Sequence, residues 1–426
     1  MPERLFELRR TTFDTPRFRG IEFIEVEAKT IINHVPGNYL PFNWTINPYR
    51  GCSHACSYCL AGDTPILMAD GRQKRLRDVR AGDAVYGVER RGTYLRYAPT
   101  TVLDHWETVK PAYRIVLEDG TALVASGDHR FLSNRGWKFV TGSEHGPEQR
   151  PHLTLNNKLL GTGHFASGPK FDHDYRRGYL CGMIRGDGHL RSYTYVRPGR
   201  GVGDVHRFRL ALKDPEPLSR AQDYLSDFNV PTQTFAFSKA TDTHAAITAI
   251  RTSKRANIEA IREIISWPEA NTEEWCKGFL AGIFDAEGGR NHGVLRISNC
   301  DETLIDHIEH CMRRFGFDFV RERCGPQRKL MVVRVVGGLQ EHLRFFHTVE
   351  PATTRKRTIH DQAVKSRSRL EVRKIEALGF EIPLYDITTA TGNFIADGVV
   401  SHNCFARSTH TFMNMNAGWI SRRRSS

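Results

Sequence analysis

The chain has 426 residues, long enough for two or more cores, and its 39% hydrophobic and 10% aromatic content excludes a wholly disordered protein. There is no apolar run of about 18 residues and no apolar signal core behind the charged start MPERLFELRR, so neither export nor membrane spanning is expected, and a cytoplasmic location is. Nine cysteines without a leader indicate reactive or metal-binding thiols in a reducing compartment, and a net charge of +13 makes a polyanion such as DNA a candidate partner.

The first dense chemistry along the chain is PYRGCSHACSYC, where Cys52, Cys56 and Cys59 have C-x3-C-x2-C spacing. Three thiolates on one short loop can hold three irons of a 4Fe–4S cluster and leave the fourth open; a zinc knuckle or unligated thiols remain alternatives on spacing alone. The motif resembles the radical SAM signature, which implies an open iron that chelates S-adenosylmethionine. After Cys59, however, the chain turns to LAGDTPILMADG, a hairpin-like segment with Asp70-Gly71 at a turn. Ser126-Gly127-Asp128-His129 follows in a region of short, alternating, turn-rich segments.

Two similar helices come next, Tyr179-Leu180-Cys181-Gly182-Met183-Ile184-Arg185-Gly186-Asp187-Gly188 and Phe279-Leu280-Ala281-Gly282-Ile283-Phe284-Asp285-Ala286-Glu287-Gly288. They resemble the LAGLIDADG motif of homing endonucleases. Gly182 and Gly282 allow the helices to pack backbone to backbone, and the resemblance implies that Asp187 and Glu287 meet at the helix ends and hold Mg2+. Arg185 replaces the first Asp of the motif. Residues Arg209 to Phe228 repeat as Arg296 to Phe315, 87 positions later. The family plan is αββαββα in each copy, a monomer with pseudo-twofold repeats whose strands sit over double-stranded DNA. Arg197, Arg207 and Arg209 in the first copy and Arg296, Arg321, Arg323 and Arg334 in the second are then available for phosphate or base contacts, with a solvated sheet face as the alternative. Lys254 is a candidate charge-stabilising lysine.

Towards the C-terminus come Tyr385-Asp386-Ile387-Thr388, then Asn393 to Val400, and finally Ser401-His402-Asn403-Cys404-Phe405-Ala406-Arg407. Joining Tyr58 to Cys404 writes PYRGCSHACSYCFARSTH and restores C-x3-C-x2-C with Cys404 as third cysteine; the 345 residues 59–403 are the removed piece. A segment that begins with Cys, ends with His-Asn and is followed by Cys resembles an intein. The resemblance implies that Cys59 attacks the Tyr58 carbonyl, Cys404 takes the acyl group, Asn403 cyclises, and His402 donates a proton to the leaving amine. It further implies that His129, in the S-G-D-H version of the T-x-x-H block that Ser126 opens, polarises the scissile amide, and that Asp386 coordinates the first steps. Gly392 stands where the family commonly has a His.

The expected architecture is an all-β Hint splicing domain, from 59–165 and 350–403, interrupted by an α+β LAGLIDADG endonuclease at 166–349. The flanks 1–58 and 404–426 are expected as fragments of a radical SAM α/β partial barrel resembling the spore-photoproduct-lyase-like group. The implied functions are self-splicing and Mg2+-dependent cleavage of the host gene that lacks the insert. The spliced host would hold a 4Fe–4S cluster through Cys52, Cys56 and Cys404 and would bind S-adenosylmethionine. A radical SAM enzyme with a passive insertion is the alternative. The flanks total 81 residues, fewer than such a barrel needs; under one permitted codon choice the basic tail Trp419 to Ser426, read one base earlier, becomes an acidic stretch resembling the radical SAM continuation, with a genuine basic tail or a truncation as the alternative.

Overall fold

The structure, a computed structural model, describes residues 10–12, 21–25, 32–34, 44–46, 58–142, 151–197, 201–241, 245–291, 293–324, 329–364, 369–403 and 419–423. The chain divides into two compact units, one from Met1–Leu67, Lys74–Gly161 and Asp361–Ser426, the other from Met68–Gln73 and Thr162–His360. No described helix is long and apolar enough to cross a membrane.

The first unit is antiparallel β structure. Its long strands Tyr94–Leu117 and Val372–Thr389 pair from Val372 opposite Leu117 to Thr389 opposite Val102, with an irregularity between Ala377 and Glu381. Such a long ladder in a twisted sheet needs a bulge to bend, and Gly379, at φ +80°, lies within that irregularity. Leu60–Ala61, Ala122–Ser126 and Ala84–Arg91 complete this sheet. A second sheet runs Gly136–Phe139, Arg130–Ser133, Val399–His402, Asn393–Ala396, Pro65–Leu67, Gln73–Arg75. The alternation behind both is hydrophobic: Leu60, Ile66, Leu123, Phe131, Leu384, Phe394 and Val400 are all buried.

In the flanks, expected as pieces of an α/β barrel, the described residues form short antiparallel pairs: Ile21–Glu25 pairs with Arg10–Thr12 and with Trp419–Arg423, and Ile32–His34 pairs with Trp44–Ile46.

The second unit is two copies of αββαββα. Helix α1, His173–Asp187, is followed by Gly188–Arg197, Gly201–Leu212, α2 Pro215–Asp227, Gln233–Ser238, Ile247–Thr252 and α3 Arg255–Ile264. Helix α4, Glu273–Glu287, is followed by Gly288–Asn291, Val294–Asn299, α5 Glu302–Arg314, Phe319–Arg323, Met331–Val335 and α6 Leu339–Val349. Both four-stranded sheets have the order first, second, fourth, third. The opening helices lie 100 positions apart and the middle helices α2 and α5 lie 87 apart, because the first hairpin of the first copy is thirteen residues longer.

Helices α1 and α4 start at side-chain caps, Asp172 accepting from Tyr175 N–H and Thr272 from Trp275 N–H. They pack through four glycines rather than the two read from the motif. A Cβ on Gly178, Gly182, Gly278 or Gly282 would lie 2.0–2.4 Å from a carbonyl oxygen of the opposite helix. Around that contact Tyr175, Tyr179, Trp275, Phe279 and Phe284 are buried.

The compact unit runs past the sequence boundary at 349. Residues 350–360 fold onto α4, where Asp285 accepts from the N–H groups of Ala352 at 2.7 Å and Thr353 at 3.0 Å. Residues 68–73 also belong to this unit, through Arg72 Nε on Glu350 Oε1 at 3.0 Å and Gln73 Nε2 on the Ala166 carbonyl at 2.9 Å.

Candidate functional site

Two constellations stand out, one in each unit. In the first unit the strand Leu60–Ala61 is held between two others, with Leu60 opposite both Ala125 and Tyr385. This register sets Cys59 against Ser126. The Cys59 N–H donates to Ser126 Oγ at 3.2 Å, and the Cys59 carbonyl accepts from Ser126 N–H at 2.9 Å. Ser126 therefore grips the amide of the Tyr58–Cys59 peptide bond, which a Thr at that position would do through the same oxygen.

Cys59 is buried with Ala112 and Leu384. Burial pushes its thiol well up, the negative charge of Asp386 pushes it further, and Lys110 opposes. Lys110 is itself tied to Asp128 at 2.6 Å, both side chains largely buried. Asp386 is fully buried and accepts from the Ile387 N–H at 2.8 Å.

His129 is fully buried, with its ring 6.4 Å from that of Tyr58. Burial holds it at about 3 against an upward pull from Asp128 and from the Tyr58 backbone carbonyl, so the imidazole is neutral at physiological pH.

The other end of the 345-residue segment arrives by strand pairing. Val399–His402 pairs with Asn393–Ala396, placing His402 opposite Asn393, and Ser401 lies opposite Phe131. The His402 ring lies edge-on to Tyr58 at 5.2 Å and to Trp137 at 4.7 Å. Burial lowers His402 to about 4, and Arg130, which stacks over Phe139 at 4.0 Å and faces Tyr58 at 5.4 Å, lowers it too. Its Nδ1 meets the Asn403 carbonyl at 2.5 Å. A carbonyl only accepts, so the neutral ring carries its proton on Nδ1 and donates it to that oxygen.

Asn403 is fully buried. The amide orientation that suits both its ends has Nδ2 donating to the Gly392 carbonyl at 2.6 Å and Oδ1 accepting from the Thr389 hydroxyl at 3.0 Å and from the Thr389 N–H. Cys59, Ser126, His129, Asp386, His402 and Asn403 are thus in one unit around the Tyr58 ring and the first strand. Cys52, Cys56 and Cys404 lie outside the described residues, as does the cluster they were read to hold. Sequence reading missed Thr389, Lys110 and Arg130.

In the second unit Asp187 and Glu287 are the last residues of α1 and α4. Burial raises both carboxyls, and the charge of Asp187 raises Glu287 further. Glu287 Oε1 accepts from Asn299 Nδ2 at 3.2 Å. Lys254, read as the charge-stabilising lysine, is exposed at the start of α3. The cation whose field lowers both carboxyls is Lys356, with Nζ 2.6 Å from the Asp285 carbonyl and 3.0 Å from that of Phe284 at the α4 terminus. It reaches them because 350–360 folds onto α4.

The motif positions before these acids serve packing. Arg185 donates to the Ile265 carbonyl at 2.9 Å and stacks on Trp267 at 4.0 Å; Asp285 is buried under Tyr179 Oη at 2.8 Å. Among the arginines assigned to the sheets, Arg207 lies opposite Arg191 and Arg209 opposite Arg251, on the face away from the buried Phe208, Leu210 and Ile250. Arg296 lies opposite Arg334. Directly opposed like charges are unfavourable in a ladder, so an anion over this face relieves them. Arg334 is partly offset by Glu322 at 2.9 Å, and Arg321 and Arg323 lie 3.0 and 3.5 Å from Glu302 at the start of α5. Arg197 ends its strand opposite Gly201.

Comparison with known proteins gives short matches. An uncharacterised protein of Mycobacterium tuberculosis is 56% identical over 50 residues, which is 12% of this chain, and the match spans only 15% of that curated relative's length. A crystal structure of I-DmoI in complex with DNA and Mn is 18% identical, covering 42% of this chain and 97% of that one at a TM-score of 0.35. The gp41-1 intein is 22% identical, covering 25% and 70% at a TM-score of 0.20. Residues 274–348, from the first turn of α4 to the last turn of α6, match the family described as LAGLIDADG-like domain.

Proposed function

We propose that residues 59–403 are a self-splicing intein that carries a homing endonuclease and interrupts an iron–sulfur host protein. One observation carries the splicing reading: the two ends of the 345-residue segment meet, with the Tyr58 ring 5.2 Å from that of His402, inside a buried site holding two neutral histidines. A passive insertion also brings its ends together, but it needs no buried neutral histidines where they meet.

In the first step the Cys59 sulfur bonds to the Tyr58 carbonyl carbon, the bond from that carbon to the Cys59 nitrogen breaks, and the thiol proton ends on the freed amine. The raised thiol means that proton is present at the start and must leave as the sulfur attacks. Asp386 is the carboxylate whose field acts on it. Ser126 holds the departing N–H, and His129 acts on the Tyr58 carbonyl. The residue 404 thiol then takes the acyl group, and Asn403 Nδ2 closes on its own carbonyl carbon and releases residue 404. A sulfur-to-nitrogen shift restores the peptide. His402, by donating to the Asn403 carbonyl oxygen, draws electrons from the carbon under attack. The test is expression of the intact chain: a 345-residue fragment and an 81-residue ligated product are expected, and only precursor from the Cys59→Ala, Asn403→Ala double variant. Persistence of wild-type precursor under reducing conditions refutes it.

For the second unit, the opposed arginines support double-stranded DNA as partner, and the acid pair fits a divalent cation. The charge of Asp187 acts on Glu287, and an oxygen-only donor pair suits Mg2+, which leaves further positions for phosphate and water. Bound there, Mg2+ supplies Lewis acidity towards the phosphodiester. Lys356 offsets charge at the same helix end. Cleavage is expected at the host allele lacking the insert, near the codons for Tyr58 and Cys404, and loss of it in Asp187→Asn or Glu287→Gln. Equal cutting of occupied and empty alleles refutes the homing reading. The host assignment rests on the restored cysteine motif, and iron and sulfide bound by the ligated product test it.

A further inference from the structure

The sequence departs from the intein pattern where Gly392 replaces a histidine, which leaves Asn403 without that activating group. We infer that Thr389 and the Gly392 carbonyl take its place, an inference that rests on the splicing reading and concerns only its C-terminal step.

The geometry is that of a clamp on the carboxamide. On one side Asn403 Oδ1 accepts from the Thr389 hydroxyl at 3.0 Å and from the Thr389 backbone N–H. On the other, Nδ2 donates to the Gly392 carbonyl at 2.6 Å, and the same carbonyl accepts from the Asn403 backbone N–H at 3.2 Å. Both Thr389 and Asn403 are fully buried, so water does not compete for these atoms.

An ordinary carboxamide nitrogen is a poor nucleophile because its lone pair is delocalised onto oxygen. Two donors on Oδ1 stabilise negative charge there, which acidifies the Nδ2–H, and an acceptor aligned on that hydrogen draws it away from nitrogen. Nδ2 then bonds to the Asn403 carbonyl carbon while the bond from that carbon to the residue 404 nitrogen breaks. One proton leaves Nδ2 on the side of the Gly392 carbonyl and one arrives on the leaving amine, so the step exchanges no net proton. Gly392 can present its carbonyl here because it adopts φ +77°, a backbone region that disfavours the side chain the family carries.

Thr389 acts through Asn403 and is a positioning residue. Its hydroxyl has one proton and also lies 2.8 Å from the Asn393 carbonyl; Thr391 Oγ1 donates to that carbonyl at 3.1 Å, which satisfies it without Thr389 and leaves the Thr389 proton for Asn403 Oδ1. Thr389→Val keeps the backbone donor and the shape and removes only the hydroxyl.

The experiment measures the two ends separately. Cleavage at Cys59 is read by adding dithiothreitol to an Asn403→Ala background, and cleavage after Asn403 is read in a Cys59→Ala background. Thr389→Val is expected to slow C-terminal cleavage on the order of tenfold, the value of one buried hydrogen bond, and to leave N-terminal cleavage unchanged. Thr389→Ser is expected to restore most of the rate. Wild-type C-terminal cleavage in Thr389→Val, equal slowing at both ends, or failure of Ser to restore the rate would each overturn the inference while leaving splicing intact. Absence of C-terminal cleavage in the parent Cys59→Ala chain would instead refute the splicing reading.

Discussion

The tightest structural constraint in the second unit is the α1–α4 contact, and Gly278→Ala tests what it does. The added Cβ would lie 2.0 Å from the Tyr175 carbonyl oxygen and 2.9 Å from the Tyr179 nitrogen. A carbon and a carbonyl oxygen approach to about 3.3 Å, so the helices must separate by roughly 1.3 Å. The obstacle is backbone and cannot rotate away. Overpacking costs about 1–3 kcal/mol and belongs at the upper end here, while Ala returns about 1 kcal/mol of helix propensity. The net loss of about 1–2 kcal/mol predicts a fall in Tm of roughly 2–8 °C for this unit. The acids Asp187 and Glu287 end the same two helices. A displacement near 1 Å there should slow DNA cleavage on the order of 100-fold, whereas affinity, which the sheet face carries, changes little. Thermal unfolding and single-turnover cleavage at saturating DNA measure the two effects. Gly289→Ala, where a Cβ meets nothing within 4 Å, is the stability control. A Gly278→Ala chain as stable and as fast as wild type would refute the argument.

Two further outcomes follow from charge. His129 and His402 sit at about 3 and about 4 because burial disfavours their charged forms, against 6.5 when free. The unfolded chain therefore binds protons first: their contribution is complete above pH 6.5 and is lost as pH falls through about 4 for His402 and about 3 for His129. Acid titration of the Cys59→Ala, Asn403→Ala chain should show the first unit unfolding in that window, and His129→Ala should reduce the slope; an unchanged slope would refute it. Lys356→Met should slow cleavage while DNA binding persists, and should raise both carboxyls, which Lys356 now lowers, shifting the acid limb of the rate to higher pH. An unshifted limb in Lys356→Met would break that link.

What the sequence made legible is what local pattern encodes. The glycine and acid spacing of α1 and α4 placed two helices and both carboxylates, and the terminal Cys59 and Asn403 named the ends that strand pairing brings together. What it hid depends on neighbours distant in the chain. Lys254 and Lys356 are equivalent by composition; only the return of 350–360 onto α4, fixed by Asp285, decides which of them reaches the acids. The ion pairs of Arg321 and Arg323 with Glu302 were likewise hidden, because they join a strand to a helix about twenty residues away. Thr389 lay in a run of threonines, and nothing local distinguished it from Thr388 or Thr391.

The same long-range logic bears on how separable the two chemistries are. The six described residues proposed for splicing all lie in the first unit, and both joints, Gly161 and Asp361, belong to it as well. Gly161 bridges to Val399, and Arg96 bridges to Ala363, so the chain on either side of the second unit is anchored in β structure. Replacing 162–360 with a short Gly/Ser linker should therefore preserve splicing. It should not be free of cost, because residues 68–73 fold with the second unit, with Arg72 on Glu350 and a Cβ on Gly71 reaching within 2.9 Å of Arg357. Deletion leaves that segment without its partners and exposes a loop between Leu67 and Lys74. The expected result is ligated product at both temperatures of a growth pair but a lower yield at the higher one, recovered when 68–73 is shortened to a tight turn. If the linker chain fails to splice even with 68–73 shortened, then the second unit does more for the site than fill a loop, and the separation of the two chemistries is wrong.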